Sequence, residues 1–109
     1  MRLGGFYSAE NEDQLRALCP VLDRHGLSAV PAPRRLATMP DEECVAFGEV
    51  ARSVGVVIGE AGMWDNLMTT DRELQRARIE QVRTLLRNAE LMGCRCVVTL
   101  VGSRHPSGH

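Results

Sequence analysis

The sequence predicts an α/β fold in which strands and helices alternate, with four parallel strands and three helices. Three segments with apolar residues at helical spacing each end at a glycine, namely Gly26, Gly55 and Gly93. A short apolar run follows each glycine, as in a strand that a helix feeds directly. Because such units join parallel strands through right-handed crossovers, we expect the strand order 1-2-3-4 with all three helices on one face.

The most regular part of the chain is the predicted third helix and the strand after it. Thr70 is the expected N-cap, since Glu73 three residues later would complete a capping box. The expected apolar face of this helix consists of Ile79, Val82, Leu85, Leu86, Ala89 and Met92. Residues 94–101 are almost continuously apolar, which is typical of a strand that is covered on both faces.

The first half of the chain has the same organisation but weaker signals. Residues 2–7 are the predicted first strand, and a helix follows from Asn11, which is a good N-cap. Pro20 lies inside this helix and predicts a kink or a break near Cys19, because proline removes a backbone hydrogen bond.

The second and third strands are predicted at residues 27–32 and 56–60. Pro40 suits the first turn of the helix between them. Gly48, in the middle of that helix, either weakens it or allows another backbone to approach closely.

Length and composition limit the kind of protein. The 109 residues make a single domain, and a net charge of −1 predicts no attraction to nucleic acid or to an anionic membrane. A membrane span and a secretory signal are not expected, so the predicted location is cytoplasmic. We expect buried, reduced thiols rather than disulfides at the four cysteines, Cys19, Cys44, Cys94 and Cys96.

The two kinds of connection differ in length, and this difference places the functional end of the fold. Each helix-to-strand turn is little more than one glycine, whereas the strand-to-helix loops are longer. In α/β folds the carboxyl ends of the strands carry the functional site. The polar and aromatic residues expected there are Tyr7, Arg34, Arg35, Trp64, Asp65, Asn66, Ser103, Arg104 and His105.

Four segments together resemble the sugar phosphate isomerase/epimerase family, the xylose isomerase-like TIM barrels. They are RLGGF (2–6), GMWDNLM (62–68), NAELMGC (88–94) and VVTLVGS (97–103). A complete (β/α)8 barrel takes about 250 residues, so the resemblance implies that residues 1–109 are the N-terminal half of such a barrel.

The resemblance also implies a reaction and a cofactor for the parent enzyme. The family moves protons or hydride between adjacent carbons of a small sugar or polyol, with a divalent metal such as Zn, Mn or Mg. Glu, Asp and His side chains of later strands hold that metal. We therefore expect this chain to contribute substrate-facing loops, to carry no catalytic residue and no metal, and to be inactive alone.

Several residues are candidates for binding substrate at the rim that the carboxyl ends of the strands form together. Trp64 either stacks on the apolar face of a sugar ring or covers the barrel mouth, and Asn66 belongs to the same loop. Backbone amides and the hydroxyl at Ser103 either bind a polar ligand, with charge from Arg104, or form an ordinary turn. His105 follows directly in the chain and is included with them.

Charged residues offer further candidates. Arg34 and Arg35 either hold a phosphate, which guanidinium matches with two hydrogen bonds, or are solvated surface residues. Glu60 and Asp65 are acid/base or metal candidates, although a single loop carboxylate is more commonly solvated or caps a helix.

His105 and His109 are four residues apart, but that spacing aligns ligands only on a helix. The segment Pro-Ser-Gly between them opposes helix formation, so a polar tail is expected instead of a metal site.

Two other functions remain open. One is a non-catalytic half-barrel that binds a ligand or pairs with a copy of itself. For any half-barrel we expect either self-association or a missing C-terminal half, because the edges of its sheet are unpaired. The other is a flavodoxin-like open sheet that binds a phosphorylated ligand, with strand order 2-1-3-4 and helices on both faces.

Overall fold

The computed structural model describes residues 1–105 and has the predicted α/β alternation. Its elements, in chain order, are α1 (Glu12–Arg24), β1 (Ala29–Pro31), α2 (Asp41–Ser53), β2 (Val57–Met63), α3 (Arg72–Met92) and β3 (Val97–Thr99), with a 3-10 turn at Leu36–Thr38. Of the helices in residues 1–105, none combines the length and the apolar character needed to cross a bilayer.

The strands form a parallel sheet in the order β1-β2-β3. Ala29 of β1 pairs with Val57 of β2, and Ala61 of β2 pairs with Val97 of β3. This sequential order follows the prediction for these strands. It differs from the open-sheet order 2-1-3-4, in which the second and third predicted strands would not be neighbours.

The first predicted strand, residues 2–7, forms only one isolated bridge. Gly4 bridges to Ala29, the Gly5 N–H donates to the Ala29 carbonyl at 3.2 Å, and the Ser28 N–H donates to the Leu3 carbonyl at 2.9 Å. Consecutive glycines weaken a strand because they have no side chains to pack, and the Phe6 side chain after them is 96% exposed. Little packing therefore stabilises this segment as a regular strand. The expectation of four regular strands is therefore not confirmed for residues 1–105.

The other strand boundaries also differ from prediction. Strand β2 continues to Met63, so Glu60 lies inside the strand rather than at its end. Strand β3 is shorter than residues 94–101 and its residues are only half-buried. The expectation that this strand is covered on both faces is wrong within this chain, because no helix packs on one side of the sheet in residues 1–105.

The helices begin close to where the sequence indicates. Asn11 caps α1, and its Oδ1 accepts the Gln14 N–H at 2.9 Å. Asp71, not Thr70, caps α3, because its carboxylate accepts the N–H groups of both Glu73 and Leu74 at 3.0 Å. Thr70 and Asp71 are adjacent in the chain, and Asp71 is the cap because its carboxylate accepts two backbone N–H groups.

Helix α1 continues through Pro20 without the predicted break. Pro20 is exposed, as is Arg16 one turn earlier, whose carbonyl loses its partner. The unmade hydrogen bond thus falls on the solvent side of the helix, where water can satisfy it.

The core lies between the helices and the sheet. Its most deeply buried apolar side chains are Leu15, Leu22, Leu36, Cys44, Phe47 and Met92. Leu85, Ala89 and Met92 of the predicted apolar face of α3 are buried, whereas Ile79 and Leu86 are 41% and 50% exposed. The apolar stripe of α3 is thus wider than the surface that covers it.

Gly48 sits where α2 and α3 touch. A Cβ added there would lie 2.3 Å from the Met92 carbonyl oxygen, so the glycine is the close-approach residue that the sequence suggested. Nearby, the buried Asn88 side chain donates to the carbonyls of Leu36 at 2.7 Å and Met39 at 3.1 Å. These contacts fasten α3 to the connection between β1 and α2.

Candidate functional site

The sheet has one face without helices, the open face, which carries Phe6, Ala29, Val57, Glu60, Gly62, Trp64, Cys96 and Leu100. A β-bulge shapes its centre. Val30 pairs with Ile58 but Pro31 pairs with Glu60, so Gly59 is an extra residue in β2. Ile58 is buried beneath the helices, and strict alternation would direct Glu60 to the same side. The bulge instead turns Glu60 toward the open face.

A cleft of about 220 Å3, the rim cleft, lies where the strands end at their carboxyl side. The residues that line it include Phe6, Ser8, Pro31, Arg34, Glu60, Gly62 and Trp64. A second cleft of about 320 Å3, the open-face cleft, shares Phe6, Pro31 and Glu60 with the rim cleft. It extends to Cys96, which directly precedes β3. Glu60 is therefore common to both clefts.

Trp64 forms an aromatic wall of the rim cleft. A Cβ at Gly62 would lie 3.1 Å from three atoms of the indole, so the ring rests directly on the glycine. Trp64 remains 61% exposed. One part of the indole is fixed against the sheet, and the rest is available for stacking. Trp64 is thus an exposed residue of the rim cleft.

Two charged groups line the rim cleft without a partner. Within residues 1–105, neither the Arg34 guanidinium nor the Glu60 carboxylate makes a hydrogen bond or an ion pair. The backbone of Arg34 is held in place, because its N–H donates to Glu10 Oε1 at 3.2 Å. The neighbouring Arg35 is different, since it pairs with Glu43 at 2.6 Å and donates to the Glu10 carbonyl at 3.3 Å. Arg34 is the available cation, and Arg35 is structural.

Asn66 and Ser103 meet, but their polar atoms bind each other. Asn66 Nδ2 donates to the Ser103 carbonyl at 2.7 Å, and Asn66 Oδ1 accepts the Ser103 N–H at 3.0 Å. Gly102 permits this contact, because a Cβ there would lie 1.9 Å from Asn66 Oδ1 and its φ is 84°. The Ser103 amide expected to meet a ligand is thus used within the fold.

Helix α3 fixes the same loop from the other side. Arg78 donates to the Asn66 carbonyl at 2.6 Å and lies 3.7 Å from Asp65 Oδ1. Gln75 Nε2 donates to the Leu67 carbonyl at 2.9 Å. These contacts give Asp65 a structural role and hold the chain on which Trp64 stands.

Two further predicted site residues, Arg104 and His105, do not line the rim cleft. Arg104 and His105 are exposed, and the His105 N–H donates to Ser103 Oγ at 3.0 Å. His109 lies outside the described residues, so the histidine pair cannot be placed. Among residues 1–105, no group of three or more His, Cys, Asp or Glu side chains could hold a metal ion. That this chain carries no metal stays a prediction.

Sequence reasoning missed Phe6 and Ser8 as cleft residues. Both follow Gly4 and Gly5. Phe6 falls in the predicted first strand, residues 2–7, and Ser8 in the connection to the helix that begins after Asn11. A single aromatic residue directly after two glycines is the sequence feature that could have indicated a surface role for Phe6.

The cysteines are free thiols, as predicted. Cys44 and Cys94 are buried, and burial raises the pKa of both thiols, so they stay protonated. Cys96 is exposed, however, so the expectation of burial is wrong there. Cys96 directly precedes β3, which has no further strand beside it in residues 1–105, and this position explains the exposure.

A larger cavity of about 820 Å3 lies at the opposite, amino ends of β2 and β3, between α2 and α3. Its lining includes Arg52, Leu86, Glu90, Gly93 and Arg95. Gly93, which closes α3, is part of this lining, and the helix-to-strand end of an α/β fold serves stability. Arg52, Glu90 and Arg95 also have no side-chain hydrogen bond or ion pair within residues 1–105. The rim cleft is distinguished by its indole and by its place at the carboxyl ends of the strands, and we take it as the candidate site.

No protein-family model matches the chain, and no curated protein matches it in sequence.

Proposed function

We propose that this chain forms the N-terminal half of a barrel of the sugar phosphate isomerase/epimerase type, and that its rim cleft binds a small phosphorylated sugar or polyol. One observation carries the proposal. Arg34, Glu60 and Trp64 line the same cleft, and neither the Arg34 nor the Glu60 side chain has a hydrogen-bond or ion-pair partner within residues 1–105.

Each of these groups has a distinct task in the proposed complex. Arg34 offers a planar fork of N–H donors that matches two phosphate oxygens. Trp64 presents an indole to the C–H face of a sugar ring, where its flat apolar surface packs well. Glu60 accepts hydrogen bonds from ligand hydroxyls. An apolar wall with a few fixed polar groups is the usual composition of a small-molecule site.

The fold supports the same proposal. The strands are parallel and sequential, so the loops after them gather at their carboxyl ends, where barrels of this kind bind substrate. The resemblance of the segments at 2–6, 62–68, 88–94 and 97–103 to the family points the same way. In this proposal the chain binds and orients the ligand, and the second half of the barrel supplies the divalent metal and the proton-transfer groups.

The test uses Trp64, the single tryptophan of the sequence, as a reporter. Its fluorescence is followed during titration with a pentose or hexose phosphate and with the same sugar lacking phosphate. We expect a saturable change with the phosphorylated sugar. Arg34→Gln should raise the Kd of that sugar by about tenfold or more, since a hydrogen bond to a charged group contributes roughly 1.5–3 kcal/mol.

Two further variants make the result specific. Glu60→Gln should weaken the phosphorylated and the plain sugar by a similar factor, because it acts on hydroxyls. Arg83→Gln is the matched control, since Arg83 is an exposed arginine on α3 that pairs only with Glu80 at 2.7 Å among residues 1–105. No saturable change with any sugar phosphate, or equal effects of Arg34→Gln and Arg83→Gln, would contradict the proposal.

A further inference from the structure

The open face is strongly apolar for a surface without helices. Phe6 is 96% exposed, Trp64 61%, Leu100 48% and Val57 42%. Trp64 and Leu100 follow directly on the paired residues Met63 and Thr99, so they are neighbours on this face. Val57 pairs with Ala29, which lines the open-face cleft, so Val57 faces the same way.

Both edges of the sheet are also unpaired. The N-terminal segment bridges to β1 on one side only, and β3 pairs with β2 on one side only, within residues 1–105. Each edge presents backbone N–H and C=O groups that can accept another strand.

We propose that residues 1–109 on their own form a two-fold symmetric dimer, in which a second copy takes the place of the second barrel half and covers the open face. All strand pairs are parallel, so a dimer that continues this pattern places a parallel partner beside the free side of β3 and another beside the N-terminal segment. A two-fold axis along the strand direction places the N-terminal segment of each copy beside β3 of the other. One operation thus satisfies both edges and closes the interface.

The exposed area agrees with a stable dimer. Without Trp64, which is assigned to the ligand, Phe6, Val57 and Leu100 present on the order of 350 Å2 in each copy, from their exposed fractions and typical side-chain areas. A standard interface takes about 800 Å2 from each partner, and the two strand edges supply the further area.

Charge does not oppose this pairing. Each copy brings one unpartnered carboxylate, Glu60, and one unpartnered guanidinium, Arg34, to the clefts of this side. Two copies therefore add no net charge to the interface. The dimer rests on the sheet and its edges, and it does not depend on the ligand proposed above.

Size-exclusion chromatography with light scattering at micromolar concentration tests the proposal. We expect twice the chain mass of 12.0 kDa. Leu100→Lys and Val57→Lys should each shift the protein to the monomer mass, because they place a charge on the covered face. Leu74→Lys is the matched control, since Leu74 is 41% exposed on α3, away from the open face, and this variant should stay dimeric.

A second measurement covers variants that fail to fold, which circular dichroism would reveal. Cys96 lines the open-face cleft, so its alkylation in the unmodified chain should slow as concentration rises through the dimer range. A monomer at all concentrations, an open series of larger oligomers, equal effects of Leu74→Lys and Leu100→Lys, or alkylation of Cys96 independent of concentration would each overturn the proposal.

Discussion

Gly48 sets the distance between α2 and α3. In a helix interior alanine is favoured over glycine by about 1 kcal/mol, so propensity alone predicts that Gly48→Ala stabilises the protein. The Met92 carbonyl 2.3 Å from the added Cβ predicts the opposite sign. We expect a loss of about 1–3 kcal/mol in the free energy of unfolding, as in other overpacked sites, measured by urea denaturation. A gain in stability would show that the helices stand further apart.

Single residues were predictable from the sequence only where local geometry decides. The helix-closing glycines Gly26, Gly55 and Gly93 all have positive φ, between 66° and 84°, as their positions suggested. Arg34 and Arg35 are identical in sequence terms, and only the placement of Glu43 on α2 makes one structural and leaves the other available. Glu60 was a candidate, but its orientation depends on a bulge in strand pairing that composition does not reveal.

At the scale of elements, the start of α3 offers a direct test of helix capping. Asp71→Ala should lower the free energy of unfolding by about 1 kcal/mol, because Asp71 accepts the N–H groups of Glu73 and Leu74. Thr70→Ala should cost less than about 0.5 kcal/mol, since Thr70 is exposed and does not cap the helix. Thermal or urea unfolding measures both. A larger loss for Thr70→Ala would restore the capping box that the sequence suggested.

The elements themselves were predictable where the apolar pattern was long. All three helices appear within a few residues of their expected positions, because the hydrophobic spacing marks each of them. Residues 2–7 were harder, since two glycines and an uncovered Phe6 leave extended backbone without the packing that makes a strand regular. Burial of β3 could not be deduced, because apolar composition shows that a strand needs cover and not what supplies it.

At the scale of the whole molecule, the sheet is sequential, parallel and covered by helices on one face. The alternation of elements was enough to predict this order. The candidate site followed only in outline: Trp64 and Arg34 meet at the rim, whereas Asn66 and Ser103 bind each other. Partner choice among polar groups depends on distances between strands that are far apart in sequence, and a linear pattern does not contain them.

The central claim is that the carboxyl ends of the strands, rather than the larger cavity at their amino ends, hold the ligand. Backbone amide shifts in an NMR titration with a sugar phosphate test it most directly. We expect the largest shifts around Arg34, Glu60 and Trp64, which line the rim cleft. Shifts concentrated at Arg52, Gly93 and Arg95, which line the opposite cavity, would contradict it.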